Sequence, residues 1–188
     1  MNLPNFLTLL RIVLVPVFAL TYLTPGGELY LYAGVLFALA AFTDWLDGYL
    51  ARRLGQTTRF GTFLDPVADK LIVVTALILL IGQHANLWLT LPGIVIVSRE
   101  IFISALREWM AEMNRRGLVA VTLVSKVKTT LQMIAITLLL ANPPDFDSAW
   151  VIGGYVLLYL AALMTLWSMF IYLIAAWPTL ELDLRKKR

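Results

Sequence analysis

Four aspartates stand in a fixed frame in this 188-residue chain: Asp44-x-x-Asp47-Gly48-x-x-Ala51-Arg52, eight residues, then Gly61-x-x-x-Asp65-x-x-x-Asp69. On a helix, Asp44, Asp47, Gly48 and Ala51 fall three or four residues apart and share one face, as do Gly61, Asp65 and Asp69 at i, i+4 and i+8. The connection Arg52–Phe60 is rich in Arg, Gln and Thr and contains Gly55, which suits a turn between antiparallel helices. Such a turn lets all four carboxylates converge. Converging carboxylates repel one another, and ionisable groups among apolar helices are costly even singly. Divalent cations would neutralise them, and two ions about 3.5–4 Å apart form a template for phosphoryl chemistry by stabilising attacking and leaving oxygens together. Gly48, Ala51 and Gly61 remove bulk beside the acids, so a flat base or a phosphate can approach the backbone. Helix packing by small residues explains any one of these positions, but not the whole frame.

Nothing else in the chain competes as a set of metal ligands. There is no cysteine and only one histidine, His84, so disulfides and thiolate sites are excluded. Carboxylates select hard cations, magnesium or manganese. The rest of the chain is apolar: 60% hydrophobic and 14% charged residues, with a mean hydropathy of +0.81. Such runs of about 20 apolar residues indicate membrane-spanning helices. The amino terminus lacks a basic segment before its apolar run, Arg11 interrupts that run, and no small-residue cleavage pattern follows. It is therefore expected to remain in the mature protein. No basic-aromatic nucleic-acid motif, phosphate-binding glycine loop or nucleophile elbow is present, and nucleic acid is not an expected partner.

Hydropathy and breakers place six spans near residues 7–23, 30–51, 62–82, 88–109, 120–141 and 149–177 in a single all-α domain covering 1–188. The start is amphipathic through Asn2, Pro4, Asn5, Thr8 and Arg11, so residues 1–11 read as a segment lying in the membrane interface. Orientation follows from charge. Thr24–Glu28, Gln83–Trp88 and Asn142–Ser148 contain no Lys or Arg, whereas Arg52, Arg53, Arg59, Arg115, Arg116 and the tail Arg185-Lys186-Lys187-Arg188 gather on the alternate ends. The positive-inside rule puts those ends, both termini and the aspartates in the cytoplasm, with residues 178–188 a basic tail that reads topology and lipid charge. Trp88, Trp109, Trp150 and Trp177 sit near span ends, as an aromatic belt requires. His84 falls in an outer turn and is expected to take no part in chemistry.

Pro66 leaves two possibilities for the second half of the frame. Either the helix runs through it and bends, or Asp65 caps a helix whose first residue is Pro66. Cations inside the spans point to an anionic ligand. Arg99 lies far from either loop, and its planar fork suits phosphate; Arg107 and Lys126 are further candidates. An Arg99–Glu100 pair is not expected, because adjacent helical residues do not face each other. Lys128 is a further candidate, ranked below Lys126 because it points to another face if Lys126 points inward; the alternative is that it snorkels to the headgroups.

The aspartate frame matches, at every specified position, the signature of the CDP-alcohol phosphotransferase family, which this chain resembles. The resemblance extends to Leu3-Pro4-Asn5-Phe6-Leu7-Thr8, Arg11, Phe63–Lys70, Arg99-Glu100, Ala105–Trp109 and Lys126–Thr130, and there it is to the glycerol phosphate branch. It implies a membrane enzyme of phospholipid synthesis that moves the phosphatidyl group of CDP-diacylglycerol to sn-glycerol 3-phosphate, releasing CMP. It further implies two magnesium or manganese ions on Asp44, Asp47 and Asp65, with Asp69 a further ligand or the base. Gly48, Ala51, Arg52 and Gly61 would accommodate the CDP moiety. Asn5, Thr8 and Arg11 would either contact its pyrophosphate or simply hold the helix at the headgroup layer. Arg99, Arg107 and Lys126 would take the acceptor phosphate. A homodimer in the bacterial inner membrane is expected by resemblance alone.

Other readings keep some hold on the same residues. Another acceptor, inositol phosphate or serine, uses the same signature, and the inward cations argue for a phosphorylated one. A membrane prenyltransferase also uses aspartates with magnesium, but the Asp-Gly-Ala-Arg frame fits it poorly. A cation transporter would place its acids near the midplane, often within inverted repeats, whereas here they cluster towards one end.

Overall fold

The computed structural model describes the backbone of residues 3–24, 26–54, 59–112 and 123–186, and the side chains of 5–24, 26–44, 46, 61, 63–106, 108–110, 126–174 and 177. Six helices account for nearly all of it: α1 Leu3–Leu23, α2 Gly27–Leu54, α3 Arg59–His84, α4 Leu87–Glu112, α5 Leu123–Leu140 and α6 Ala149–Lys186. No strand occurs among the described residues. The tightest connection joins α3 to α4 through two residues. Ala85 takes a left-handed φ of 45°, which lets its N–H close on the Ile81 carbonyl at 3.0 Å, and Asn86 then caps α4 by accepting the Leu89 N–H at 2.9 Å. Asn5–Leu23, Leu87–Met110 and Ala149–Ile174 are long and apolar enough to cross a membrane; α2, α3 and α5 carry most of the polar residues developed below.

The core is one cluster shared by all helices, including Phe18, Phe37, Leu77, Leu89, Ile96, Ile136 and Leu158. Phe18 and Phe37 meet edge to face at 5.9 Å and tie α1 to α2. Close approach depends on small residues, as expected where lipid supplies no hydrophobic drive between helices. A Cβ on Gly34 would lie 2.6 Å from the Ala141 Cβ and 2.8 Å from its Cα, and one on Gly154 would lie 2.8 Å from Leu139. A second cluster, Ile103, Leu106, Met110 and Tyr172, joins α4 to α6 and takes in Trp109. Trp88, Trp150 and Trp177 are exposed, in keeping with a belt; Trp109, packed inward, is not.

Two details differ from the sequence expectations, and one open alternative is decided. Residues 3–11 are not a separate helix but the first turns of a continuous α1, on which Thr8 and Arg11 turn to half-exposed carboxylates of α2 and α3. Pro66 lies inside α3, so Asp65 is not a cap; the helix sacrifices the bond to the Thr62 carbonyl and keeps Gly61, Asp65 and Asp69 in phase. Finally, α6 does not end at 177 but continues to Lys186. Its 38 residues span about 57 Å, well beyond a hydrocarbon core of about 30 Å.

Candidate active site

The acids are held by α1. Arg11 is completely buried, and one guanidinium nitrogen, Nη1, donates both to Asp44 Oδ1 on α2 at 2.9 Å and to Asp69 Oδ1 on α3. One turn earlier, the buried hydroxyl of Thr8 donates to Asp65 Oδ1 at 2.8 Å. Two carboxylates on a single nitrogen lie within about 6 Å of each other, two hydrogen-bond lengths. Asp44 and Asp69, one from each half of the frame, thus come together, and α1 supplies the wedge that joins them. Arg11 approaches from beneath: its side chain is 0% exposed, while those of Asp44 and Asp69 are 41% and 44% exposed. Asn5 is half-buried at the start of the same helix, and Gly61 is buried one turn before Asp65. A place in the headgroup layer, one of the two expected for Thr8 and Arg11, does not account for such burial. The side chains of Asp47, Gly48, Ala51 and Arg52, like that of Arg107, lie outside the described residues.

A cationic group sits on α4 and α5. Arg99, 6% exposed, donates from Nη1 to Glu100 Oε1 at 2.6 Å, and Lys128, 2% exposed, holds its Nζ 3.7 Å from the same oxygen. The pairing of neighbours Arg99 and Glu100 corrects the expectation that they would not meet. That expectation uses Cβ directions on a solvated helix; a buried arginine is long enough to curl sideways to the nearest anion when water is excluded. The lysines are also reversed: Lys128 points inward and Lys126 is exposed. The sequence signal for this was Gln132, 3% exposed, one turn from Lys128 on α5; polar residues at i and i+4 in an apolar helix mark an inward stripe. Arg99 Nε is buried with no partner, an unused donor, and the three side chains Arg99, Lys128 and Glu100 together carry a charge of +1.

Lys70 links the two groups. It follows Asp69 on α3, and its ammonium donates to Ser104 Oγ on α4, one turn from Glu100. Through this bond α3, which carries Asp65 and Asp69, and α4, which carries Arg99 and Glu100, meet at a polar contact. Sequence reasoning passed over Ser104 and gave Lys70 no role, because no spacing rule ties α3 to α4. As for a metal, no group of three or more ligating side chains is assembled among the described residues. Nonetheless, a guanidinium already bridges two of the carboxylates, all donors are oxygens, and about two fifths of each bridged carboxylate remains open. That donor set fits a hard divalent cation.

The opposite end of the bundle has a different character. Asn86 donates to the Tyr155 oxygen at 2.9 Å, leaving the phenol proton for His84 Nδ1 at 2.9 Å. Burial pulls the His84 pKa down to about 4. This knot pins the α3–α4 turn to α6, fifteen helical residues or about 22 Å from Asp69. A largely apolar groove of about 450 Å³ opens beside it, between Trp88, Phe146 and Leu163; it holds no carboxylate or cation and lies away from the acids.

Apolar helices packed around a half-open carboxylate cluster and a buried cationic group define an all-helical membrane protein with a polar site between its spans. A family model for CDP-alcohol phosphatidyltransferase matches residues 1–177, and the chain belongs to that family. A protein of Pseudomonas fluorescens is 56% identical, with 100% of this chain and 96% of the relative covered. One of Sodalis glossinidius (strain morsitans) is 52% identical, covering 94% and 95%, and one of Yersinia enterocolitica is 50% identical, covering 96% and 97%. All three relatives are named CDP-diacylglycerol--glycerol-3-phosphate 3-phosphatidyltransferase.

Proposed function

We propose that this chain transfers the phosphatidyl group of CDP-diacylglycerol to sn-glycerol 3-phosphate, giving phosphatidylglycerophosphate and CMP. The observation that carries the choice of acceptor is the buried Arg99 with its unpartnered Nε, beside Lys128. A dianionic acceptor would satisfy that donor and neutralise the excess charge, whereas zwitterionic serine brings no net charge. Named relatives over nearly the full chain support the same reaction.

In this reading Asp44, Asp47, Asp65 and Asp69 hold two magnesium or manganese ions, which when bound offset the charge of the pyrophosphate and of the departing CMP. Gly48, Ala51 and Gly61 leave room for the cytidine end, with Arg52 and Asn5 near its phosphates. Arg99, Lys128 and Arg107 grip the acceptor phosphate, and the exposed Lys126 stands where the acceptor enters. Gripped there, the acceptor turns its free primary hydroxyl toward Asp69. The carboxylate of Asp69 takes the hydroxyl proton as the glycerol oxygen bonds to the lipid-linked phosphorus and the bond from that phosphorus to the CMP oxygen breaks. The site faces the cytoplasm, where basic loops and tail would place it, so a lipid donor meets a water-soluble acceptor at the inner-membrane surface. The enzyme acts as a homodimer among membrane lipids.

CMP release by the detergent-solubilised protein tests this, using CDP-diacylglycerol and magnesium with glycerol 3-phosphate, inositol phosphate or serine. Release should occur only with glycerol 3-phosphate and stop with chelator. Release with another acceptor alone would reassign the substrate, and none with any acceptor would end the enzymatic reading.

A further inference from the structure

Arg11 occupies a position that the assigned chemistry does not use. It is the one positively charged side chain of α1, is fully buried, and bridges Asp44 and Asp69. The three described carboxylates together with Arg11 carry a net charge of −2, the complement of a single divalent ion. Asp47, one turn from Asp44 on α2, brings the total to −3, still one short of two ions. A second ion would leave the cluster net positive among apolar helices, where unbalanced charge is expensive. The donor's pyrophosphate would restore the balance.

We infer that Arg11 is an internal counter-ion that makes metal occupancy depend on the donor: without the nucleotide the site holds its ions incompletely and weakly, and the pyrophosphate completes the set. This deepens the proposed function and rests on its metal assignment. The geometry favours a permanent counter-ion over a group that metals expel, because Arg11 lies beneath the carboxylates and their exposed sides remain open to ions. Thr8, bonded to Asp65 from the same helix, holds α1 in register for this. By reciprocity, whatever the nucleotide does for metal affinity, metal does for nucleotide affinity. A donor would therefore not be gripped without its ions, nor would loaded ions wait at the surface without a donor.

The test is manganese binding to the purified full chain, followed by the loss of free-ion paramagnetic resonance signal, with and without CDP. In the wild type, CDP should tighten manganese binding at least about tenfold and raise the number of ions bound. In Arg11→Gln, manganese alone should bind at least about tenfold more tightly, and CDP should add less than about threefold. Arg11→Lys, which keeps the charge, should retain the CDP effect. Arg11→Gln is prepared in manganese and then dialysed, so that the ions hold the acids together if the apo form is unstable. Unchanged or weaker manganese binding in Arg11→Gln, or an undiminished CDP effect, would overturn the inference and leave the metal assignment standing. Loss of the CDP effect in Arg11→Lys would overturn it as well, since charge would not be the cause. A wild type that binds no manganese under either condition would overturn the metal assignment together with the inference.

Discussion

Replacing Arg99 by alanine removes the buried candidate with an unpartnered donor for the acceptor phosphate. In the free enzyme, Arg99, Lys128 and Glu100 sum to +1; without Arg99 they sum to zero, and Glu100 then faces the incoming phosphate with only Lys128 to screen it. A hydrogen bond to a charged group contributes about 1.5–3 kcal/mol. Losing one or two from the guanidinium should therefore cost about 3 kcal/mol of acceptor binding, or roughly a hundredfold in the KM for glycerol 3-phosphate. The KM for CDP-diacylglycerol should change less than about threefold, and kcat at saturating acceptor should fall only modestly, since the lost contact is made in both ground and transition states. The double variant Arg99→Ala, Glu100→Gln restores a net charge of +1 and should regain about tenfold of the lost acceptor affinity, because two charges a few Å apart still interact by several kcal/mol at an effective dielectric near 20. The assay is CMP release at saturating CDP-diacylglycerol over a range of glycerol 3-phosphate, with helix content checked by circular dichroism. An acceptor KM within about threefold of wild type in Arg99→Ala would refute the placement of the phosphate, and an equal loss for both substrates would point to a packing role.

Asp69→Asn should reduce turnover below about 1% of wild type, since general-base contributions alone reach about 10²–10⁴-fold, while preserving helix content; near-normal CMP release would remove Asp69 from the mechanism. Gly34→Ala places a Cβ against the backbone of Ala141 and should lower stability by about 1–3 kcal/mol, read as a lower melting temperature in detergent; an unchanged melt would mean that α2 and the α5–α6 connection do not approach so closely. Stability should also fall with pH through His84. Burial keeps it neutral in the folded protein down to about 4, whereas the unfolded chain takes its proton near 6.5. Between those values the unfolded state binds more protons, so stability declines as pH drops from about 6.5 to about 4 and levels off below. The melting temperature should fall across that window in the wild type and fall less in His84→Gln; equal slopes would acquit His84.

Much of this protein is local, and for that reason legible in its sequence. Apolar runs broken at 24–26, 85–86 and 141–148 dictate helices because backbone groups in lipid must be satisfied within the same segment. The i, i+4 spacing of Asp65 and Asp69 needs only a continuous helix to put them on one face, and α3 remains continuous even through Pro66. What spacing does not contain is the partner of a long side chain. Arg11 is amphipathic punctuation in the sequence, and becomes the buried bridge between Asp44 and Asp69 only when α1 packs against both α2 and α3. Lys126 and Lys128 differ by two positions, about 200° around the axis, and the contact of α5 with α6 and α2 decides which one turns inward. Arg99 reaches its neighbour Glu100 because packing buries the guanidinium and leaves that carboxylate within its reach. Helical periodicity arranges residues along one axis; the rotation of each helix against the others, and the exclusion of water between them, assigned each charge its counterpart.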